Sequence, residues 1–167
     1  SDGVKNIATA CKNKDVVLIH ISTDYVFDGK KEEGYLTTDL PNPINQYGKS
    51  KLAGESFIRE IMDKYFIIRT SWLYSEFGNN FYKTIMNKAK TEKVLYITDE
   101  QTGCPTNANN LAKYILNLIT LCKTEYGIYH FTDGKAMTWF DFAKEILRET
   151  NLDKKVRVEK AENYRTF

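Results

Sequence analysis

A tyrosine and a lysine that could share acid–base chemistry stand four residues apart, at Tyr47 and Lys51. Side chains at this spacing on a helix lie on the same face, one turn apart. A phenol has an ordinary pKa of about 10, and a nearby ammonium lowers that pKa because it stabilises the phenolate. The pair therefore indicates a tyrosine that acts as a general acid. The pattern is weak on its own, because tyrosine and lysine are both frequent in this chain.

Hydroxyl and aromatic side chains also follow two apolar segments of the sequence. Thr23 comes after the run Val16–Ser22, and Thr70 and Trp72 lie at the end of a second run, Tyr65–Thr70. Open α/β sheets bind ligands beyond the carboxyl ends of their strands, so these side chains are candidates for a binding site. Two ordinary explanations stay open. The hydroxyls could cap backbone groups, and the tryptophan could cover the core rather than stack on a base or sugar.

Short apolar runs without alternation, separated by helical patterns, predict the elements that carry these residues. The predicted strands are Val16–Ser22, Tyr65–Thr70, Val94–Ile97, Gly127–Phe131 and Val156–Val158. The predicted helices are Val4–Asn13, Asn45–Asp63, Asn80–Lys93, Asn107–Cys122 and Thr138–Thr150. Thr138, with Asp141 three residues later, predicts a side-chain cap at the start of the last helix. Strands that alternate with helices predict an α/β fold with a parallel sheet and right-handed crossovers.

The longest irregular stretch, residues 24–44, comes directly after the first predicted strand. That position, at the carboxyl end of a strand, predicts a loop that forms part of an active site. A solvated surface excursion is the alternative that composition alone leaves open.

Length and composition argue against several classes of function. A chain of 167 residues suggests one domain with a normal core. The net charge of +2, with Lys and Arg scattered, argues against nucleic-acid binding, and no apolar window is long enough to cross a membrane. Three cysteines without a Cys-x-x-Cys pair, and only two histidines, predict reduced thiols in a cytoplasm and no zinc site.

Motifs that occur in a fixed order make the chain resemble the extended short-chain dehydrogenase/reductase family, and within it the dTDP-4-dehydrorhamnose reductases. The segment Ser22–Gly29 reads Ser-Thr-Asp-Tyr-Val-Phe-Asp-Gly, and Tyr47 follows Thr23 by 24 residues, with Lys51 one helical turn later. The other matching segments are Arg69–Tyr74, Gly78–Phe81, Asp99–Thr106, Gly127–His130 and Thr138–Asp141. The resemblance extends over essentially the whole chain, and ordered motifs are more specific than any one of them.

This resemblance implies a catalytic role for three side chains. Tyr47 would donate the proton to the C4 oxygen of a 4-keto sugar. Lys51 would hold the nicotinamide ribose and lower the pKa of the phenol, and Thr23 would tune that phenol and touch the substrate. Together with Thr70, the Tyr47 and Lys51 side chains would form the cofactor site.

On the substrate side, the resemblance implies contacts from Thr23, Asp24, Trp72 and Asn80 with the deoxysugar nucleotide. Position leaves ordinary alternatives open for two polar residues. Arg69 could be a satisfied arginine at a strand end, and Asn80 could be a helix cap.

The implied activity is that of an oxidoreductase of dTDP-rhamnose biosynthesis. It would reduce the C4 keto group of dTDP-4-dehydro-6-deoxy-L-mannose to dTDP-L-rhamnose, with hydride from NADPH or NADH. The implied partners are this dTDP-sugar and, as an option, a second subunit in a homodimer. Two alternatives stay open: a non-catalytic regulatory subunit similar to the β subunit of methionine adenosyltransferase, and a nucleotide-sugar epimerase or dehydratase with the same Tyr/Lys pair.

The sequence also departs from the family pattern. Its nine glycines form no glycine-rich turn for the cofactor diphosphate, and the chain stops before the last elements of the family. Some members bind magnesium at a dimer interface through a Glu where Asn109 stands here, so no metal is predicted. We therefore expect a segment of a reductase that binds the cofactor weakly by itself. Residues 1–98 would be the later part of a Rossmann-like domain, and 99–167 mainly a smaller substrate-binding lobe with segments that return to the main sheet.

Overall fold

A computed structural model describes residues 2–161, which form five α-helices and nine β-strands. The helices are α1 (Asp2–Asn13), α2 (Gln46–Ile61), α3 (Phe81–Lys88), α4 (Ala108–Thr120) and α5 (Trp139–Glu149). The strands are β1 (Leu18–Thr23), β2 (Tyr65–Thr70), β3 (Leu73–Tyr74), β4 (Val94–Ile97), β5 (Thr102–Gly103), β6 (Thr106–Asn107), β7 (Gly127–His130), β8 (Met137–Thr138) and β9 (Arg157–Lys160). The mixed α/β class predicted from the sequence is confirmed.

The chain divides into two compact units. The first takes in the chain up to Thr70 together with Ala112–Phe131, and the second takes in Ser71–Leu111 and the chain from Thr132 onward. The assignment of residues 1–98 to a nucleotide-binding part and of 99–167 to a substrate lobe stays a prediction about function.

The first unit is built on a parallel sheet with the strand order β1-β2-β7. The central strand β2 is an apolar run without alternation, because Ile67 and Ile68, which point to opposite faces, are both fully buried. On one face, Ala8 of α1 and Ile58 of α2 pack with Ile67 into a hydrophobic cluster. The sheet therefore holds α2 across the strands that end at the predicted site.

The parallel register brings the ends of these strands together. Thr23 pairs with Thr70, Ser22 pairs with Arg69, and Arg69 pairs in turn with His130. Successive strands of a parallel sheet run in the same direction, so all these residues lie at the carboxyl edge. Thr23 and Thr70, both candidates from the sequence, therefore lie side by side at this edge.

The irregular segment after β1 is ordered by its own interactions. It begins as a short 3₁₀ helix, Asp24–Val26, and then folds back so that the rings of Phe27 and Tyr35 stack at 4.2 Å. The Lys31 ammonium lies 2.6 Å from the Asp39 carboxylate, and the Asn42 backbone N–H donates to the Val26 carbonyl. These contacts return the chain to the start of α2.

A glycine permits helix α2 to approach this 3₁₀ turn closely. The side chain of Asn45 caps the helix, because its Oδ1 accepts a hydrogen bond from the Gly48 N–H at 2.8 Å. A Cβ at Gly48 would lie 2.1 Å from the carbonyl oxygen of Tyr25 and 3.0 Å from the Cβ of Pro43. A side chain at this position would therefore force the helix away from the turn.

The second unit has its own core and smaller sheets. Strands β4 and β9 pair in parallel, as do β3 and β6, whereas β5 and β8 pair antiparallel. The buried core residues are Ile85, Leu95, Phe142, Ala143, Ile146, Leu147 and Val156. The antiparallel pair and the four two-residue strands are absent from the sequence prediction, since segments this short show no periodicity.

Several helices and strands begin or end at other residues than the sequence predicts. Helix α3 ends five residues before the predicted end at Lys93, because residues 90–93 include no apolar side chain to bury. The predicted cap of α5 is confirmed, since the Thr138 hydroxyl accepts from the Asp141 N–H at 3.0 Å. The predicted strand Val156–Val158 is observed one residue later and longer, as β9.

We expect Gly48→Ala to lower the free energy of unfolding by about 1–3 kcal/mol, because the new methyl group overlaps the Tyr25 carbonyl. Chemical unfolding of the native protein that contains this chain measures the change. The matched control is Gly3→Ala, also in a helix, where a Cβ meets nothing within 4 Å and alanine favours the helix. Equal stability of the two variants would contradict the close approach of α2.

We expect Thr138→Ala to lower the free energy of unfolding by about 0.5–2 kcal/mol, because it leaves a backbone N–H of α5 without its cap. The Thr138→Ser variant keeps the hydroxyl and is expected to retain nearly all of the stability. Thermal unfolding of both variants measures the effect, and a serine variant as unstable as the alanine variant would rule out the capping explanation.

Candidate active site

The structure distributes the predicted site residues over the two units. Thr23, Asp24, Tyr47, Lys51 and Thr70 belong to the first unit, at or near the carboxyl edge of its sheet. Two further predicted residues, Trp72 and Asn80, belong to the second unit.

Helix α2 presents Tyr47 and Lys51 at the end of β1. The Lys51 ammonium donates a 2.6 Å hydrogen bond to the carbonyl of Ile21, two residues before Thr23. The Tyr47 side chain, one turn earlier, is 57% exposed, and its ring meets the edge of the Tyr25 ring at 5.8 Å. The phenol is thus open to a ligand, while the lysine beside it is half-buried.

Burial and charge act in opposite directions on this lysine. Burial lowers the pKa of Lys51 below its ordinary value, because a desolvated ammonium is less stable than a hydrated one. The nearby carboxylate of Glu55 raises the same pKa and offsets part of the effect. The net direction is downward.

Thr23 is buried and uses its hydroxyl twice. The oxygen accepts a hydrogen bond from the Tyr25 N–H and so caps the 3₁₀ turn, and the hydroxyl donates to the Asp24 carboxylate at 3.0 Å. Burial raises the pKa of Asp24, and the hydrogen bond from Thr23 opposes that rise. The capping explanation for Thr23 is therefore confirmed, and its role at a substrate stays a prediction.

A buried hydrogen-bond network of Glu55, Arg69 and Ser22 lies next to these residues, and it was not predicted from the sequence. The Glu55 carboxylate accepts hydrogen bonds from Arg69 Nε at 3.0 Å and Nη2 at 2.7 Å, and from the Ser22 hydroxyl. Glu55 is 1% exposed, Arg69 4% and Ser22 3%. The sequence does contain a signal that could have indicated Glu55. Tyr47, Lys51 and Glu55 follow one another at intervals of four residues, so they lie on one face of the helix.

His20 on β1 belongs to the same polar region. Burial lowers the pKa of His20, the Lys51 charge lowers it further, and the Glu55 charge raises it. Within residues 2–161, the buried Nε2 of His20 and Nη1 of Arg69 have no hydrogen-bond partner.

In the second unit, Trp72 packs against its own neighbours. Its ring stacks on Trp139 with centroids 3.4 Å apart, and a Cβ at Gly103 would lie 2.3 Å from it. The backbone of Trp72 adopts a positive φ of 45°, which is uncommon for a side chain of this size. The ring covers the core, in line with the second alternative from the sequence, and a contact with a sugar stays a prediction.

Asn80 and Arg69 both have protein partners. Asn80 caps α3, since its Oδ1 accepts from the Lys83 N–H and its amide donates to the carbonyls of Ser75 and Phe77. Arg69 is held by Glu55. These contacts agree with the ordinary alternatives, a helix cap for Asn80 and a satisfied arginine at a strand end for Arg69. A role for Asn80 at the substrate stays a prediction.

Three further expectations from the sequence concern metal-binding groups, cysteine pairs and membrane-spanning helices. Asn109 donates to the Glu76 carboxylate at 3.0 Å, and residues 2–161 hold no group of three His, Cys, Asp or Glu side chains suited to a metal ion. Cys11, Cys104 and Cys122 are free thiols. No helix between residues 2 and 161 combines the length and the apolar character needed to cross a membrane.

Two known proteins are similar to this chain over most of its length. The dTDP-4-dehydrorhamnose reductase of Aggregatibacter actinomycetemcomitans is 40% identical over 151 residues, which are 88% of this chain and 51% of that protein. The crystal structure of dTDP-4-dehydrorhamnose reductase from Bacillus anthracis in complex with NADP is 42% identical and superposes with a TM-score of 0.92. The superposition covers 98% of this chain and 57% of the Bacillus anthracis chain. This chain therefore spans about half the length of these relatives.

A more distant structure shares only the fold. UDP-N-acetylglucosamine 4-epimerase from Bacillus cereus is 19% identical and superposes with a TM-score of 0.79 over 97% of this chain. The sequence profile of the RmlD substrate binding domain, by contrast, matches residues 1–166. The chain belongs to the RmlD substrate-binding domain family.

Proposed function

We propose that the native protein containing this chain is an oxidoreductase of dTDP-rhamnose biosynthesis. It reduces the C4 keto group of dTDP-4-dehydro-6-deoxy-L-mannose and yields dTDP-L-rhamnose. The observation that carries the proposal is the placement of Lys51 on the Ile21 carbonyl, with the exposed Tyr47 phenol one helical turn away. The reductase names of relatives at about 40% identity support it.

In the proposed reaction, Tyr47 is the general acid. As the C4 carbon receives a hydride, its oxygen takes the proton of the Tyr47 hydroxyl, so the ketone becomes an alcohol and the tyrosine a phenolate. The positive charge of Lys51 stabilises that phenolate. In this proposal the Thr23 hydroxyl, at the same strand end, turns its proton from the Asp24 carboxylate to the substrate oxygen and so orients that oxygen. Solvent then returns the proton to the exposed Tyr47 side chain.

The residues of the first unit fit a nicotinamide cofactor. When bound, NADPH or NADH supplies the hydride. The hydrogen bonds within residues 2–161 use one of the three N–H groups of Lys51, on the Ile21 carbonyl, so the ammonium can also bind ribose hydroxyls. Thr70 lies beside Thr23 in the register and completes this side of the site. The NADP bound to the Bacillus anthracis relative supports this assignment.

The remaining predicted residues are proposed to face the sugar nucleotide. Asp24 follows Thr23 directly, and its raised pKa reflects a partly desolvated carboxyl group suited to hydroxyl groups of a sugar. Trp72 and Asn80 are proposed as further contacts with the sugar nucleotide. For Trp72, one face of the ring is already stacked on Trp139.

We expect Tyr47→Phe to lower kcat by about 10²–10⁴-fold, because the variant has no hydroxyl proton to give. Oxidation of NADPH is followed with dTDP-4-dehydro-6-deoxy-L-mannose as substrate. The control is Tyr96→Phe, an exposed tyrosine on β4, which is expected to leave kcat unchanged. A Tyr47→Phe variant with the kcat of the native protein would overturn the role of Tyr47.

Analysis of the products separates the alternatives. A reductase converts the keto sugar to dTDP-L-rhamnose and consumes one NADPH for each product molecule. An epimerase would interconvert nucleotide sugars with no net use of NADPH, and a regulatory subunit would give no product. Either of these results with the native protein would overturn the proposed function.

A further inference from the structure

The carboxylate of Glu55 is held by hydrogen bonds from two buried side chains in the interior of the first unit. Arg69 reaches it with Nε and Nη2, the paired geometry that an arginine fork offers a carboxylate, and the Ser22 hydroxyl donates to Oε1. All three side chains are at least nine-tenths buried. The three residues come from α2, β1 and β2, so the network joins one helix to two strands.

Stability alone does not account for a network of this kind. Moving two charges out of water is unfavourable, and a buried ion pair often contributes no more stability than apolar residues of the same volume would. A buried pair does fix the geometry of the elements that carry it, because each partner has few positions in which its hydrogen bonds are all made. The network therefore selects one position for α2 on the sheet.

Each member of the network is connected to a residue of the proposed active site. Glu55 lies one turn after Lys51 on α2, and Ser22 directly precedes Thr23. Arg69 directly precedes Thr70. The carbonyl that receives the Lys51 hydrogen bond belongs to Ile21, the residue before Ser22. A shift of Glu55 would therefore move Lys51 relative to its backbone acceptor.

We propose that Glu55 is a positioning residue, which through Arg69 and Ser22 holds the Lys51 ammonium at the end of β1. This inference rests on the proposed function for its effect on turnover. Glu55 touches neither substrate nor cofactor in the proposal, and it acts through Lys51.

The charge of Glu55 also acts on Lys51, in addition to the hydrogen-bond geometry of the network. Two titratable groups interact with the Lys51 charge: His20 on β1, whose pKa burial and Lys51 both lower, and Glu55 on α2. The Glu55 carboxylate raises the pKa of Lys51 against the effect of burial. Without that carboxylate, Lys51 would lose its proton at a lower pH, and the alkaline decline in activity would begin earlier.

The first test replaces Glu55 with glutamine in the native protein that contains this chain. We expect Glu55→Gln to lower kcat by about 10–100-fold, because a small displacement of a catalytic group has effects of this size. The pKa of Lys51, followed by NMR on labelled lysine side chains and assigned with Lys51→Arg, is expected to fall. The control is Glu60→Gln, an exposed carboxylate on the same helix, which is expected to change neither quantity.

A second variant separates positioning from stability. Glu55→Gln leaves the Arg69 charge without a full partner and could unfold the protein, whereas Glu55→Met combined with Arg69→Met removes both charges together. We expect the double variant to fold with a stability close to that of the native protein and to keep a low kcat and a raised KM for NADPH. A folded double variant with native kcat, KM and pH profile would overturn the inference.

The NMR titration keeps this test independent of the proposed function. If the native protein reduces no keto sugar, the proposed function fails, while the pKa of Lys51 in the Glu55→Gln variant still decides whether Glu55 governs that ammonium. A Lys51 pKa that does not change between the native protein and a folded Glu55→Gln variant would overturn the positioning role.

Discussion

Helix α2 lies so close to the end of β1 that its backbone touches the turn that follows the strand. At Gly48 the helix faces the carbonyl of Tyr25 at a distance that leaves no room for a Cβ. One turn later Lys51 binds the carbonyl of Ile21, and the Asn45 cap fixes the first turn of the helix. Because each contact has a backbone partner, the position of helix α2, which carries Tyr47 and Lys51, follows from the path of the chain.

The longer elements were predictable because each shows its own pattern. The strands Tyr65–Thr70 and Val94–Ile97 are observed with the predicted bounds, since each is an apolar run with clear polar ends. Strands β3, β5, β6 and β8 have two residues each and form only because a partner distant in the sequence is brought next to them. Such pairing is a property of the tertiary structure, and no local pattern indicates it.

The site was predictable to the extent that spacing determines it. The position of Thr23 after an apolar run indicates the edge that the register of β1 and β2 shows, and the helical spacing of Tyr47 and Lys51 indicates the shared face of α2 from which Lys51 reaches the Ile21 carbonyl. Glu55 was not predicted, because a glutamate on a helix is usually solvated, and its arginine partner stands 14 residues away on a strand. The stacked partner of Trp72 was missed for the same reason, since Trp139 is distant in the sequence.

The arrangement of Glu55 and Arg69 also explains how a carboxylate can raise the pKa of Lys51 without occupying the N–H groups of its ammonium. A carboxylate that bonded Lys51 directly would use N–H groups that the proposed function assigns to the cofactor. Here the Arg69 fork and the Ser22 hydroxyl occupy the Glu55 oxygens, and Lys51 bonds a backbone carbonyl instead. In the buried interior, where water screens charges weakly, Glu55 still acts on the ammonium through space. Glu55 thereby offsets part of the effect of burial on the Lys51 charge, and the lysine retains donors for a ligand.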